Sequence, residues 1–221
     1  MSKAIGAVAA VIFAAIGVCG CGPAEGAGQQ LAAGGFTHFG DYDWYVLDVQ
    51  GNRALLLSED VVETRPYNTE CADVTWEDCT LRAYLNGAFY ESFGKEERAR
   101  IALTRNENPD NTWGGWWEDE PFGTPGGNPT DDRVFLLSVE EILKYYPGLK
   151  LYREGPWAGW RYEADARLVT KSYKSRLHWW LRSPGGYQGS AAVVSYLGSV
   201  DLGGFGVYNE GGVRPALWLN L

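Results

Sequence analysis

The sequence predicts an α+β domain of short antiparallel strands with two to three helices, and three observations carry that prediction. The first is a hairpin pattern: Trp44-Tyr45-Val46-Leu47-Asp48-Val49 and Arg53-Ala54-Leu55-Leu56-Leu57-Ser58 flank Gly51-Asn52, a pair able to take the positive φ of a tight turn. The second is a helical repeat in mid-chain, Leu81, Leu85, Ala88 and Phe89 on one face. The third is a C-terminal rhythm in which Val194, Val200, Val207 and Val213 alternate with turn formers at Gly198, Gly203-Gly204 and Gly211-Gly212, as short strands reversing at each glycine would. With 221 residues, 45 % of them hydrophobic and 10 of them Trp, the chain can bury one core of its own.

Taken in order, residues 1–20 read as a targeting segment. Lys3 supplies a positive start and Ala4 to Val18 an apolar run too short for a spanning helix. Val18-Cys19-Gly20-Cys21 resembles a lipoprotein processing site with Cys21 as the lipidated residue; simple secretion is the alternative. Residues 21–35, mostly Gly, Ala and Gln, read as a tether, and residues 36–221 as a single domain. The expected location is therefore the bacterial cell surface or outer membrane, with the membrane met only through the lipid anchor.

Thr75-Trp76-Glu77-Asp78 reads as an N-cap with acids in the first turn of the main helix, and a second helix is expected over Lys95 to Leu103. Phe135-Leu136-Leu137-Ser138 echoes Leu55-Leu56-Leu57-Ser58, and Ser138-Val139-Glu140-Glu141 is a capping box opening a short helix to Tyr146. Cys71 and Cys79 stand eight apart; in an exported chain they either form a disulfide or remain two buried thiols. Residues 104–133 are aperiodic around Trp113, Trp116 and Trp117. There Asn106-Glu107-Asn108-Pro109-Asp110-Asn111 has oxygen ligands enough for calcium, and the same side chains equally suit turns that bond their own backbone. A zinc site is disfavoured, since only His38 and His178 are available beside the cysteines.

The stretch from His178 to the C-terminus reads as one unit, with residues 179–221 as a display region. Its valines point inward, whereas Tyr187, Ser195, Tyr196, Leu197, Ser199, Asp201, Leu202, Phe205, Tyr208 and Asn209 are expected near turns and facing water. Tyr among Ser, Gly, Asn and Asp is the composition of a recognition surface, because Tyr offers contact area at low rotamer cost. An ordinary sheet whose aromatics tuck back into the core is the other reading. Trp179 and Trp218 are expected in the core, and Arg182 and Arg214 in buried or semi-buried pairing, with a clamp on a ligand carboxylate as the alternative for the two arginines.

The frame Trp179-Trp180-Leu181-Arg182-Ser183-Pro184-Gly185, then Ala191-Ala192-Val193-Val194, then Gly212-Val213-Arg214-Pro215-Ala216-Leu217, resembles the C-terminal half of a bacterial domain family of unassigned function. That family is similar to the variable proteins of diversity-generating retroelements, which carry a C-type lectin fold of the formylglycine-generating-enzyme type. The resemblance covers roughly residues 39–221 and implies a fixed frame displaying residues that contact a protein or glycan ligand. Adenine-directed changes in an Asn codon ending in C or T reach Tyr, Ser, Leu, Asp, Phe and Asn, the set at the ten display positions; Gln188 and Glu210 fall outside it.

Two classes of function lack their residues. A formal net charge of −9 argues against a nucleic-acid partner, which needs clustered Lys and Arg. The fold's enzymatic relatives use a late cysteine pair or a histidine-rich iron site, but no Cys follows Cys79 and the chain has two His. Neither a Gly-x-Ser-x-Gly elbow nor a His-Glu-x-x-His motif occurs, and acid clusters at Glu118-Asp119-Glu120 and Asp131-Asp132 are weak signals by themselves. The sequence therefore points to a non-enzymatic ligand-binding protein without catalytic residues or cofactor. A structural or adhesive surface lipoprotein and a carbohydrate module stacking sugars on Trp113, Trp116 and Trp117 are the alternatives.

Overall fold

The computed structural model describes residues 31–113, 123–153, 159–171 and 177–221. The expected signal segment, Cys21, most of the tether, Trp116, Trp117 and Glu118-Asp119-Glu120 lie outside the described residues. The architecture is mixed α+β, rich in strands, with short helices and mainly antiparallel sheets.

The expected hairpin is present. β1 (Phe36–Phe39), β2 (Tyr42–Gln50) and β3 (Arg53–Ser58) run antiparallel, and Gly51, at φ +58°, makes the turn. A bulge between Val46 and Asp48 breaks strict alternation in β2, so that Val46 and Leu47 are both buried. β4 (Glu63–Pro66) follows and belongs to a different sheet.

The main helix starts later than its sequence pattern suggests. Thr75 to Asp78 form a turn, with the Cys79 N–H donating to the Thr75 carbonyl. The N-cap is Cys79, whose sulfur accepts from the Arg82 N–H, and α1 spans Thr80–Tyr84. A π-helical turn, Leu85–Phe89, then leads into α2 (Tyr90–Ser92). Leu81, Leu85 and Phe89 are buried as expected, but Ala88 is exposed, because the wider π turn rotates it off the buried face. α3 (Lys95–Arg100) is shorter than expected and leaves Leu103 exposed; the Gly94 N–H donates to the Glu97 carboxylate at its start.

β5 (Thr104–Asn106) and β6 (Thr130–Asp132) bracket the aperiodic segment as a two-stranded ribbon. Phe135 to Ser138 is buried but not a strand; Phe135 makes only a bridge to Ala216. The capping box at Ser138 is as expected: its Oγ accepts from the Glu141 N–H at 3.1 Å, and the Glu141 carboxylate accepts from the Ser138 N–H at 2.8 Å, opening α4 (Val139–Tyr145).

β7 (Leu151–Arg153), β8 (Trp160–Tyr162) and a 3₁₀ turn (Ala166–Leu168) precede the C-terminal strands β9 (Trp179–Pro184), β10 (Ser190–Val194), β11 (Val200–Gly206), β12 (Glu210–Val213) and β13 (Ala216–Asn220). β13 leaves its neighbours and completes a four-stranded sheet, β1-β2-β3-β13, while the others form a seven-stranded sheet, β4-β12-β9-β10-β11-β8-β7, parallel only at β12 and β9. One core joins the two sheets: Trp44 and Leu55 from the first, Trp179, Trp180 and Val194 from the second, and Leu81 and Ile142 from the helices.

Val194, Val200, Val207 and Val213 are all buried, as their spacing predicts. The glycines between them have unequal roles. Gly198, at φ +87°, is a turn. Gly203-Gly204 and Gly211-Gly212, expected as turns, lie inside β11 and β12. A Cβ on Gly211 would stand 2.4 Å from the Trp180 ring, so this glycine makes room for a core indole rather than reversing the chain.

Trp218, expected in the core, is only partly buried at its edge, with the Arg53 guanidinium 5.3 Å over its ring. Arg182 is buried, pairs with Glu141 and donates to the Leu136 carbonyl; Arg214 donates to carbonyls only.

Candidate functional site

β10 is short and distorted where it meets both neighbours: Ala191 pairs with Pro184 and Phe205, and Val193 with Trp180 and Asp201, so residues 181–183 and 202–204 bulge out. Two polar side chains hold the bulges. Asp201 Oδ1 accepts from the N–H groups of Gly203 and Gly204, while its Oδ2 accepts from Arg161 at 3.0 Å. Buried Asn111 donates to the carbonyls of Pro184, Gly185 and Leu202, and its Oδ1 accepts from the Trp113 N–H. The Asn111 amide thereby ties the aperiodic loop to the C-terminal frame, alongside Arg182, which donates to the Glu107 carbonyl, and Gln188, which donates to the Pro125 carbonyl.

The ten expected display residues divide by what their side chains do. Ser195 and Ser199 bond each other at 2.7 Å across the β10–β11 turn, and Asn209 donates to the Gly206 carbonyl. With Asp201, these polar groups shape backbone. Leu202 is buried, at 1 % exposure, which corrects the expectation that it faces water: the bulge turns it inward beside Asn111, Trp113 and Ser183, at a cleft of about 60 Å³. Tyr196 is half-buried, and Leu197 is exposed on the β10–β11 turn.

Three aromatics remain exposed, Tyr187 in the turn before β10, Phe205 in β11 and Tyr208 in the turn after it. Tyr187 is 51 % exposed, Phe205 47 % and Tyr208 53 %. The Tyr187 ring lies against Gly189 and the Tyr208 ring against Gly206, where a Cβ would stand 3.1 Å and 3.3 Å from them. Gly206 ends β11 and Gly189 is in the turn just before β10: Ser190 pairs with Gly206, and the Val207 N–H donates to the Gly189 carbonyl at 3.0 Å. Phe205 packs on His178 with centroids 4.5 Å apart, and His178 in turn meets Trp180 edge-on at 5.1 Å. Burial pushes the His178 imidazole below its ordinary pKa, partly offset by the charge of Asp201, and its Nε2 is buried without a partner. A neutral imidazole under Phe205 thus joins the surface aromatics to the core.

The turn 195–199 has other neighbours. The Asp165 N–H donates to the Gly198 carbonyl, and a Cβ on Gly198 would meet the Asp165 carbonyl oxygen at 2.4 Å. Leu197 is therefore carried on the segment around Asp165 and Val169, while Tyr187 lies against Gly189, Phe205 against His178 and Tyr208 against Gly206. Sequence reasoning missed Asn111 and His178 as organisers; the signal for His178 was its place ahead of the indole pair, and for Asn111 there was none beyond an Asn-rich turn.

Cys71 and Cys79 form no disulfide. Cys71 is exposed, whereas the Cys79 sulfur faces the core and donates to the Trp76 carbonyl at 3.5 Å, because it caps α1. In the candidate calcium loop, Asn106 donates to Asp132, Asn108 to the Asn128 carbonyl, and Asp110 accepts from the Gly126 N–H, so these side chains hold the loop together. Among the described residues no group of three or more His, Cys, Asp or Glu is placed to hold a metal ion.

These features define a mixed α+β domain with exposed aromatics on a glycine-lined sheet. The chain belongs to the family described as a domain of unknown function (DUF6273), whose model matches residues 51–221. No curated protein and no solved structure matches the chain.

Proposed function

We propose that this protein is a non-enzymatic ligand-binding protein of the C-type lectin type, exported and held at the bacterial surface by a lipid on Cys21, with Tyr187, Phe205 and Tyr208 as its principal ligand contacts. The observation that carries the reading is that these three rings are half exposed while the backbone beneath them is fixed by paired strands and close-packed glycines. Large exposed aromatics on rigid backbone lose little entropy on binding, which is how recognition surfaces gain affinity. The resemblance of residues 179–185, 191–194 and 212–217 to the variable proteins of diversity-generating retroelements supports the same reading, as does the set of residue types at the display positions.

The ligand is a protein or glycan. Screening the full chain on a glycan array and against a displayed peptide panel identifies it, and Tyr187→Ala, Phe205→Ala and Tyr208→Ala are then each expected to weaken binding by about 1 to 3 kcal/mol with little change in melting temperature. If these variants melt early yet keep affinity, the face is structural and the reading fails. For the anchor, Cys21→Ser should abolish acyl labelling and leave an unprocessed precursor; persistent labelling would refute it.

A further inference from the structure

A cleft of about 200 Å³ lies between β1 and β2 on one side and residues 166–171 on the other, and none of Tyr187, Phe205 and Tyr208 is in its lining. Its apolar lining is Phe36, Tyr45, Ala166 and Val169, with the first two rings edge-to-face at 5.3 Å. Its charged lining is Arg167, Lys171 and Arg214 against Glu59. In a chain of net charge −9, a wall with three cations and one acid is an exception that invites explanation.

Two of the cations are matched: Arg167 holds Asp165 through both carboxylate oxygens, and Lys171 pairs with Glu59 at 2.9 Å. Arg214 is not. The residue is 3 % exposed, and its guanidinium donates to the neutral carbonyls of Ser58, Glu59 and Leu168, with the Trp179 ring 5.0 Å away. Burial lowers its pKa, partly offset by Tyr146 and by the carboxylates of Asp60 and Glu59, neither of which is in ion-pair contact with the guanidinium. A buried charge is costly unless paired and hydrogen-bonded, and three carbonyls engage only part of a guanidinium's five donors. Beside it the Tyr146 hydroxyl is buried without a partner, in the field of Arg214, Tyr45 and Arg167, all cleft residues.

We infer that this cleft binds a small monocarboxylate with an apolar or aromatic body, the carboxylate meeting Arg214 and Lys171 and the body lying against Phe36, Tyr45 and Val169. The two unmet groups explain why a carboxylate is the favoured class: it supplies the missing counter-charge to Arg214 and acceptor oxygens that a neutral ligand lacks. The cleft volume limits the occupant to about the size of benzoate, below the ordinary range for larger ligands.

The test uses the full chain, with benzoate as probe and benzamide as its neutral match in shape, followed by NMR titration. Benzoate is expected to bind saturably with a Kd on the order of 1 mM, shifting signals of Tyr45, Val169 and the Arg214 side chain, and benzamide to bind at least about tenfold more weakly. Lys171→Glu, an exposed change that leaves the core alone, should weaken benzoate several-fold, and Arg214→Gln should remove binding; Tyr208→Ala should leave it unchanged. Equal binding of the two probes, no saturation by roughly 20 mM benzoate, or an unaffected Lys171→Glu variant would each overturn the proposal, whether or not Arg214→Gln folds.

Discussion

Arg82 and Asp132, fifty positions apart, meet through a 2.6 Å hydrogen bond from Nε to Oδ1. The Asp132 carboxylate is fully buried and also accepts from the Trp76 indole, Thr130 Oγ1 and the amides of Asn86 and Asn106. It therefore ties α1 to the ribbon of β5 and β6. Asp132→Ala leaves Arg82 without its carboxylate and four further donors without theirs, and is expected to destabilise the fold by about 3 to 5 kcal/mol in chemical denaturation. A loss under 1 kcal/mol would show that the donors find water instead.

The cysteines should react unequally. Burial pushes the Cys79 thiol up to about 12, while Cys71 is exposed. Iodoacetamide at neutral to mildly alkaline pH is expected to label Cys71 in the native protein and Cys79 only after denaturation, read by peptide mass spectrometry. Because Cys79 is harder to ionise folded than unfolded, its contribution to stability is present below its ordinary value of 9.0 and is lost as pH rises from there towards about 12.

His178 sets an acid limit of the opposite kind. Its folded pKa lies below the ordinary 6.5, chiefly through burial. A depressed base is neutral in both states at higher pH, so stability is full above 6.5 and is lost as pH falls below that value towards the folded pKa. The melting temperature should drop over that window in the wild type, and the drop should shrink in His178→Gln.

The two frame tryptophans should differ. Trp179 is fully buried, donates to the Leu168 carbonyl at 3.2 Å and carries Arg214 over its ring, so Trp179→Ala is expected to cost about 3 to 5 kcal/mol. Trp218 is only partly buried and should cost roughly 1 to 2 kcal/mol. Equal losses in urea unfolding would mean that Trp218 has a packing role its position does not reveal.

What the sequence by itself determined was local. The turn at Gly51, the capping box at Ser138 and the inward face of Val194, Val200, Val207 and Val213 follow from turn chemistry, side chains three residues apart and strand alternation. Such features depend on neighbours a few residues away, so spacing reveals them. What only the tertiary structure decided involved partners far along the chain. Gly211 is a glycine because Trp180 fills the space where its side chain would be, Leu202 is inside because a bulge held by Asn111 turns it there, and Cys79 is kept from Cys71 because its sulfur caps a helix and faces the core. The packing of Phe205 on His178, and of the Leu197 turn on the segment near Asp165, belongs to the same class. Exposure near a turn is legible in composition, but which exposed residues share a surface depends on strand order and register, and these are set by core packing between segments remote in sequence.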